Sequence, residues 1–443
     1  MTKTDSSSSS RALPRLRTMF LMCAAGVVVA ACGGGGGTGG GNADASGNAP
    51  VATAGGDTPA APPTGQPIAA VPTTPAPAPT TDAPAPAAPA PAPAPTPPAP
   101  APAAAPADGT PVAGNPAGAC AVPAAGQLKS VAQPTTVVGN GTPASCTSAA
   151  VVAAVANGGV VTFNCGADPV TINMAATARV FNNKPDLVLD GGGKVTLSGG
   201  GARRILYQNT CDPSLVWTSP NCDVQDNPKT TLQNITFVDG NSSGQGYGLQ
   251  EVYGGGAVFA RGGRLAIINA RFFRNQCEAT GPDLGGAAVR ALEMSRAAPV
   301  YVVNSTFGGA DGYGNVCSNG GGLSSIATSY AVINSVITHN KAIGVGANPQ
   351  RAGTPGGGNG GGIYMDGNTF DLSLCGTVMR NNTANEGGGA IIYVSNNLTG
   401  TMSVSGSTLA ANPSLGFETA GLPGIFVLAA PGQPVISNSS ITR

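Results

Sequence analysis

VYVVNSTFGGADGYGNVCSNGGGLSSIATSYAVINSVITHN, residues 300–340, contains one short pattern twice. Val300-Tyr-Val-Val303 runs into Asn304-Ser-Thr-Phe, and thirty residues on Ala331-Val-Ile333 runs into Asn334-Ser-Val-Ile. Between them lies a glycine triplet followed by apolar residues, Gly320-Gly-Gly-Leu. The apolar runs are short and rich in β-branched residues, which reads as strands; no helical periodicity crosses them.

Working outward, the Asn pattern recurs at Asn234-Ile-Thr-Phe, Asn269-Ala-Arg-Phe, Cys375-Gly-Thr-Val, Gly406-Ser-Thr-Leu and Asn438-Ser-Ser-Ile, often with a second Asn three positions after the large apolar residue. The glycine landmark recurs at Gly254-Gly-Gly-Ala-Val-Phe, Gly285-Gly-Ala-Ala-Val, Gly360-Gly-Gly-Ile-Tyr and Gly387-Gly-Gly-Ala-Ile-Ile. Each repeat therefore supplies three strands: one after the glycines, one before the Asn and one after it. Three short strands per repeat with connections of variable length predict an all-β solenoid, a parallel β-helix. Eight to ten coils rising about 4.8 Å each give a rod of roughly 40–50 Å. The aligned Asn234, Asn269, Asn304, Asn334 and Asn438 would stack, their amides bonding along the rod at a sharp bend.

An open β-helix end exposes strand edges and needs a cover. Cys146-Thr-Ser-Ala-Ala-Val-Val-Ala-Ala-Val-Ala-Asn-Gly-Gly reads as a short capping helix with a Ser/Thr start and an Asn-Gly stop. The first coils follow through Val160-Val-Thr-Phe163 and Asp186-Leu-Val-Leu-Asp-Gly-Gly-Gly193.

The rest of the chain is of a different character. Residues 1–31 read as a lipoprotein-type signal peptide: Lys3, Arg11, Arg15 and Arg17, then an apolar run from Met19 to Ala31 that is too short to span a bilayer. The run ends Val29-Ala-Ala-Cys32 before five glycines, which resembles the lipobox of bacterial lipoproteins and implies lipidation at Cys32 and an exported, membrane-anchored chain at the outer membrane or cell surface. Residues 32–118 read as a Gly-rich, then Ala/Pro-rich linker. Asn42 to Ala117 holds 22 of the chain's 39 prolines, so it lacks the apolar surface to offset chain entropy and is expected to be an extended stalk. Residues 119–443 are the expected β-helix domain.

Composition narrows the chemistry. Lys and Arg number 21 against 21 Asp and Glu, a net charge of zero, which argues against nucleic acid as a partner. The one histidine, His339, leaves little room for a His-based metal site or a Ser-His-Asp triad. Beyond Cys23 and Cys32, eight cysteines remain, an even number in an exported chain. Spacing favours Cys146 with Cys165, Cys211 with Cys222, and Cys277 with Cys317.

Several stretches then take on a family look. Val138-Gly-Asn-Gly-Thr-Pro-Ala-Ser-Cys146, Phe163-Asn-Cys-Gly166, Asp190-Gly-Gly-Gly193 and the repeated Gly-Gly-x-apolar and Phe-x-x-Asn elements resemble exported right-handed β-helix proteins of the pectate-lyase-like kind. Phe272-Phe-Arg-Asn275 with the Gly-Gly-Ala elements is similar to repeats of chlamydial polymorphic outer-membrane proteins. Those proteins end in a membrane β-barrel that is not recognised in this sequence, so attachment is expected through lipid at Cys32. The resemblance implies a right-handed coil and, in carbohydrate-active members, a site on the first strand's outer face and the loops that lead into it. The clustered acids of pectate lyases and the Gly-His-Gly of polygalacturonase-type hydrolases are not matched.

Around the glycine elements, Glu251, Asp283, Arg290, Asn319, Asn359, Tyr364 and Glu386 are the ligand-binding candidates. No cofactor is expected apart from a calcium ion, for which Asn319, Asn359 and Glu386 would be a line of oxygen ligands. Six arginines, Arg261, Arg264, Arg271, Arg274, Arg290 and Arg296, fall within 36 residues and would suit the carboxylates of a uronic-acid polymer. Arg290, Arg271 and Glu386 are then the catalytic candidates, and Trp217 is a sugar-stacking one. Two functions follow: a stalked, adhesin-like surface module that binds glycan or a cell-surface component, or a lyase or hydrolase of an acidic polysaccharide.

Overall fold

A computed structural model describes residues 109–245 and 253–443. Short strands satisfy none of their own backbone groups and must pair them with the coil above and the coil below. They do so in three long sheets whose pairings are all parallel, the walls of a right-handed parallel β-helix. Sheet I has ten strands, from Thr136–Val138 to Val435–Ser437; sheet II has nine, from Val170–Asn173 to Ser440–Thr442; sheet III has eight, from Ala178–Val180 to Ile425–Leu428. One coil runs through Val258–Arg261 in sheet III, Arg264–Ile268 in sheet I and Arg271–Phe273 in sheet II.

Strand alternation points one side chain in two at the axis. Phe237, Phe272 and Phe307 stack there with ring centroids 5.0 and 4.7 Å apart, and Ile337, Met379 and Leu409 continue the column, all fully buried. Helix α1 (Ser148–Asn157) closes the first coil with Val151, Ala154 and Val155. Thr147 caps its start by accepting from the Ala150 amide at 3.2 Å, and Gly158 ends it in the left-handed region. The three expected disulfides are present, and a fourth joins Cys120 to Cys375.

The corner between sheets I and II explains the Asn pattern. Asn234, Asn269, Asn304, Asn334 and Asn438 have φ between 47 and 51°, a left-handed conformation that Asn tolerates better than most residues. The phase expected at Cys375 is corrected by one: Cys375 pairs with Ile333, so Gly376 takes the corner with φ 62°. The amide stack expected at this corner forms at a single Asn–Asn step, Asn269 to Asn234 at 3.1 Å. The continuous ladder is the second Asn of the pattern. Asn275, Asn315, Asn340, Asn382 and Asn412 donate each to the next at 2.9, 2.8, 2.9 and 2.8 Å, and all are buried. Each acceptor oxygen also takes the backbone N–H of the preceding Asn.

The folded body also takes in residues 109–118, which composition had assigned to the linker. Residues 110–135 form a strap that starts on sheet II, at Arg271 and Thr306, and crosses the corner at Asn334 onto the outside of sheet I. Two side-chain amides grip it as a strand would: Asn334 bonds both the N–H and the C=O of Cys120 at 3.0 and 2.9 Å, and Gln233 does the same for Lys129 at 2.9 and 3.0 Å. Beneath it Val122 and Cys120 cover Ala266, Ile268, Val303 and Ile333, an apolar patch on the outer face. Composition alone hid the strap, because Val112, Asn115 and Cys120 sit in an Ala/Pro/Gly-rich context.

The buried ladder gives a direct expectation. Asn340→Ala removes the partner of the Asn315 amide and backbone N–H and frees the carbonyls of Phe307 and Thr338. It should lower stability by about 2–4 kcal/mol, read as a lower urea midpoint.

Candidate functional site

The outer face of sheet III carries a row of register partners: Phe259, Arg290, Ser324 and Tyr364. Alternation in Ile363–Gly367 puts Asp366 on the same face as Tyr364. Arg290 is 4% exposed; Ser324 and Tyr364 are buried. The glycines ahead of these strands turn the chain into the sheet. Gly286 and Gly320 have φ 71° and 53°, and a Cβ there would lie 2.2 and 2.5 Å from the carbonyl oxygen three residues on.

A loop roofs this row. Residues 345–357 fold back on themselves through antiparallel bridges, Val345 with Gly356 and Ala347 with Gly357. The loop brings Asn348 over the sheet, where its amide donates to Asp283, to the Tyr364 hydroxyl and to Asp366 at 3.4 Å. The Tyr364 hydroxyl lies 3.2 Å from Asp366 Oδ2 and 3.3 Å from Asp283 Oδ1. Arg290 donates from Nη2 to the Asp283 carbonyl at 2.6 Å, while its Nε and Nη1 and the Ser324 hydroxyl have no partner.

Low solvent access sets the electrostatics. Burial pushes the Tyr364 phenol well above its ordinary range, with Asp366 and Asp283 adding to it, so it is a neutral donor. Burial, then the Asp283 charge, raises the Asp366 carboxyl. Burial lowers the Arg290 guanidinium. Two carboxyls converging on one phenol beside a guanidinium with spare donors offer both acceptors and donors to a polar group.

The fold thus brings together Asp283, Arg290 and Tyr364 from the sequence candidates. Asp366, Ser324 and Asn348 complete the set; Asp366 was signalled by its parity with Tyr364, and Asn348, on an irregular loop, by nothing. Asn319 and Asn359 lie one row inward and are corrected to ladder residues: the Asn359 N–H bonds Asn319 Oδ1 at 3.0 Å and the Gly387 N–H bonds Asn359 Oδ1 at 3.2 Å. Glu386 is one register position off that line. Its carboxylate takes the Gly346 N–H at 2.8 Å and both ends of the Arg351 fork at 2.7 and 2.8 Å, and Arg351 holds it below its ordinary range. All three oxygen ligands suggested for calcium therefore already accept hydrogen bonds. Among the described residues no group of three His, Cys, Asp or Glu gathers as a metal site.

The arginine cluster spreads around the rod, because 36 residues are about one coil. Arg271 lies on sheet II, bonded to Thr236 at 2.9 Å and to Thr110, whereas Arg290 lies on sheet III. Arg261 pairs with Glu293 at 2.6 Å, Arg274 with Asp239 at 2.8 Å, and Arg264 with Asp226. His339 occupies a left-handed turn, its Nε2 3.0 Å from the Asn381 amide. Glu251, Cys32 and residues 1–108 lie outside the described residues. No family model matches the chain, and neither the curated proteins nor the solved structures compared with it give a match.

The raised Asp366 carboxyl makes stability depend on pH. The folded chain binds that proton more tightly than the unfolded chain, so the stabilisation is whole below the ordinary Asp value of about 4 and is lost as pH rises through the folded value. Asp366→Asn should therefore melt higher than the parent chain at pH 7. The gain should close as the pH is lowered to about 4 in thermal melts of both proteins.

Proposed function

We propose that the chain is a lipid-anchored, stalked cell-surface module whose β-helix binds a glycan or another surface component in an adhesin-like role. The Cys32 motif and the Ala/Pro-rich stretch support the anchor and the stalk. The observation that carries the binding reading is the fate of the charged side chains. Arg261, Arg264, Arg274, Glu386 and their partners are spent joining coils and loops, and the outer face of sheet III offers amides, hydroxyls, one buried guanidinium and two carboxyls, Asp283 and Asp366, that are already bonded to Tyr364 and Asn348. With its carboxyls engaged by neighbours, such a surface suits recognition of many-hydroxyl ligands better than acid–base chemistry, which needs a free titratable group near the reacting bond.

One observation favours a second reading, a lyase of a uronic-acid polysaccharide, as the resemblance to pectate-lyase-like chains implies. Arg290 keeps two unpartnered donors and a lowered pKa beside Asp283. In that reading it would clamp the uronate carboxylate or take the C5 proton.

Two measurements separate these readings. Full-length chain expressed with labelled fatty acid should carry the label and lose it in Cys32→Ser; a label that persists, or none in the parent, removes the anchor. The same chain on a glycan array should bind at least one glycan saturably and give no ultraviolet-absorbing unsaturated product from uronic-acid polymers. An absorbance rise that disappears in Arg290→Ala would replace the binding reading with the lyase.

A further inference from the structure

A second polar recess lies on the corner between sheets III and I, away from Arg290. Most coils turn that corner briefly; the coil of Val258–Arg261 does it with Gly262 and Gly263 alone. The coil before it inserts residues 210–228, an excursion tied at its base by Cys211–Cys222 and pinned inward by buried Leu215. With residues 182–185 of the preceding corner this excursion borders an open recess of about 270 Å³, with Asn182, Lys184, Thr218, Gln225 and Asp226 in its walls.

The lining has unspent hydrogen-bonding capacity. Asn182 is 3% exposed, and its amide nitrogen is held by the Asn209 carbonyl at 3.1 Å, which leaves its Oδ1 without a partner. Gln225 takes the Thr218 hydroxyl at 2.8 Å on its oxygen, and its Nε2 is unpartnered. An unpartnered acceptor and an unpartnered donor, both buried, thus belong to neutral amide side chains whose residues line one recess. A buried polar group without a partner is costly, and a ligand hydroxyl, which both donates and accepts, would satisfy either. Of the described charged side chains there, Asp226 is paired with Arg264 and with Lys229 at 3.6 Å, which leaves Lys184 as the one charge at the rim. The same excursion exposes Val216, Trp217 and Val224, with Trp217 half exposed directly before Thr218. Amides in a small recess, with an exposed indole one residue along the chain from the Thr218 that lines it, are complementary to a pyranose, whose hydroxyls want paired donors and acceptors and whose C–H face wants an aromatic ring.

We infer that this corner recess is a binding site for a neutral sugar residue, with Asn182, Gln225 and Thr218 reading its hydroxyls and Trp217 covering its face. It rests on the glycan-binding reading above and adds a site and a sugar class to it. A single monosaccharide would bind weakly, with a dissociation constant on the order of 1 mM, and a polymer of such units would gain from several contacts along a surface array.

Trp217 is the chain's only tryptophan, so its emission reports on this site alone. Full-length protein is titrated with the methyl glycosides of glucose, galactose, mannose and N-acetylglucosamine, and with glucuronate. At least one neutral glycoside should change the emission saturably, with glucuronate no tighter. Gln225→Ala and Thr218→Val, both on the exposed excursion, should each weaken binding by about fivefold, the worth of one neutral hydrogen bond. Saturation-transfer NMR with the same glycosides reads binding anywhere on the chain. Glycosides that bind by NMR but leave the emission unchanged and are indifferent to both substitutions would overturn this site and leave the surface-binding reading standing. No neutral glycoside binding by either measurement, or tighter binding of glucuronate, would overturn the neutral-sugar assignment itself.

Discussion

Everything in this rod depends on strands pairing only with the coil above and the coil below. A strand of three to five residues cannot hold its place alone, and parallel pairing demands that each corner be turned the same way on every level. The left-handed corner between sheets I and II meets that demand with Asn or Gly, and the buried column from Asn275 to Asn412 meets it at the far end of sheet II. Each amide in that column satisfies a backbone N–H of one coil and its neighbour's side chain at once, so polar groups enter the interior without remaining unpaired. The Phe237–Phe272–Phe307 stack is the apolar counterpart, one ring per coil in register.

That regularity decides what could be read from the chain alone. Strands, coil period, capping helix and three disulfides were legible because each has a local signature: a β-branched run, a recurring Asn or Gly, a Thr start with an Asn-Gly stop, a close cysteine pair. The phase error at Cys375 shows the limit of local reading. Cys375-Gly-Thr-Val and Gly376-Thr-Val-Met are equally plausible by pattern, and only the pairing of Cys375 with Ile333 decides between them. The strap was less legible still. Its holds on Asn334, Gln233 and Cys375 lie 104 to 255 residues away in sequence, and nothing in an Ala/Pro-rich stretch announces a distant grip.

The candidate site was half visible for the same reason. Tyr364 and Arg290 stand on strands, where alternation fixes the face, so the rows predicted their neighbourhood. Asn319 and Asn359 look alike in sequence and also stand before glycines, but they belong to the coil's own hydrogen bonding, and a one-residue offset removes Glu386 from their line. Clustering in sequence misleads on a solenoid. Residues within one turn are spread around the circumference, as Arg271 and Arg290 are, while residues some thirty apart become neighbours.

A solenoid of this kind separates support from recognition by position along each coil. Short corners such as Gly262-Gly263 leave room only for backbone, and the strands between them commit their backbone to pairing and their inward side chains to the core. Chemistry that is not structural falls to outward strand side chains, such as Arg290 and Tyr364, and to lengthened corners, of which 210–228 and 345–357 stand on opposite edges of sheet III. Residues 210–228 border the open, amide-lined recess, and residues 345–357 roof the Arg290–Tyr364 row. Both insertions are tied down at their bases, one by Cys211–Cys222 and the other by backbone pairing and the Arg351–Glu386 ion pair, so the polar groups they present are held against a rigid wall. Sheet III, flanked by both, is therefore the face of the rod on which a long ligand could meet two sites at once, with the repeat of the coils setting the distance between them.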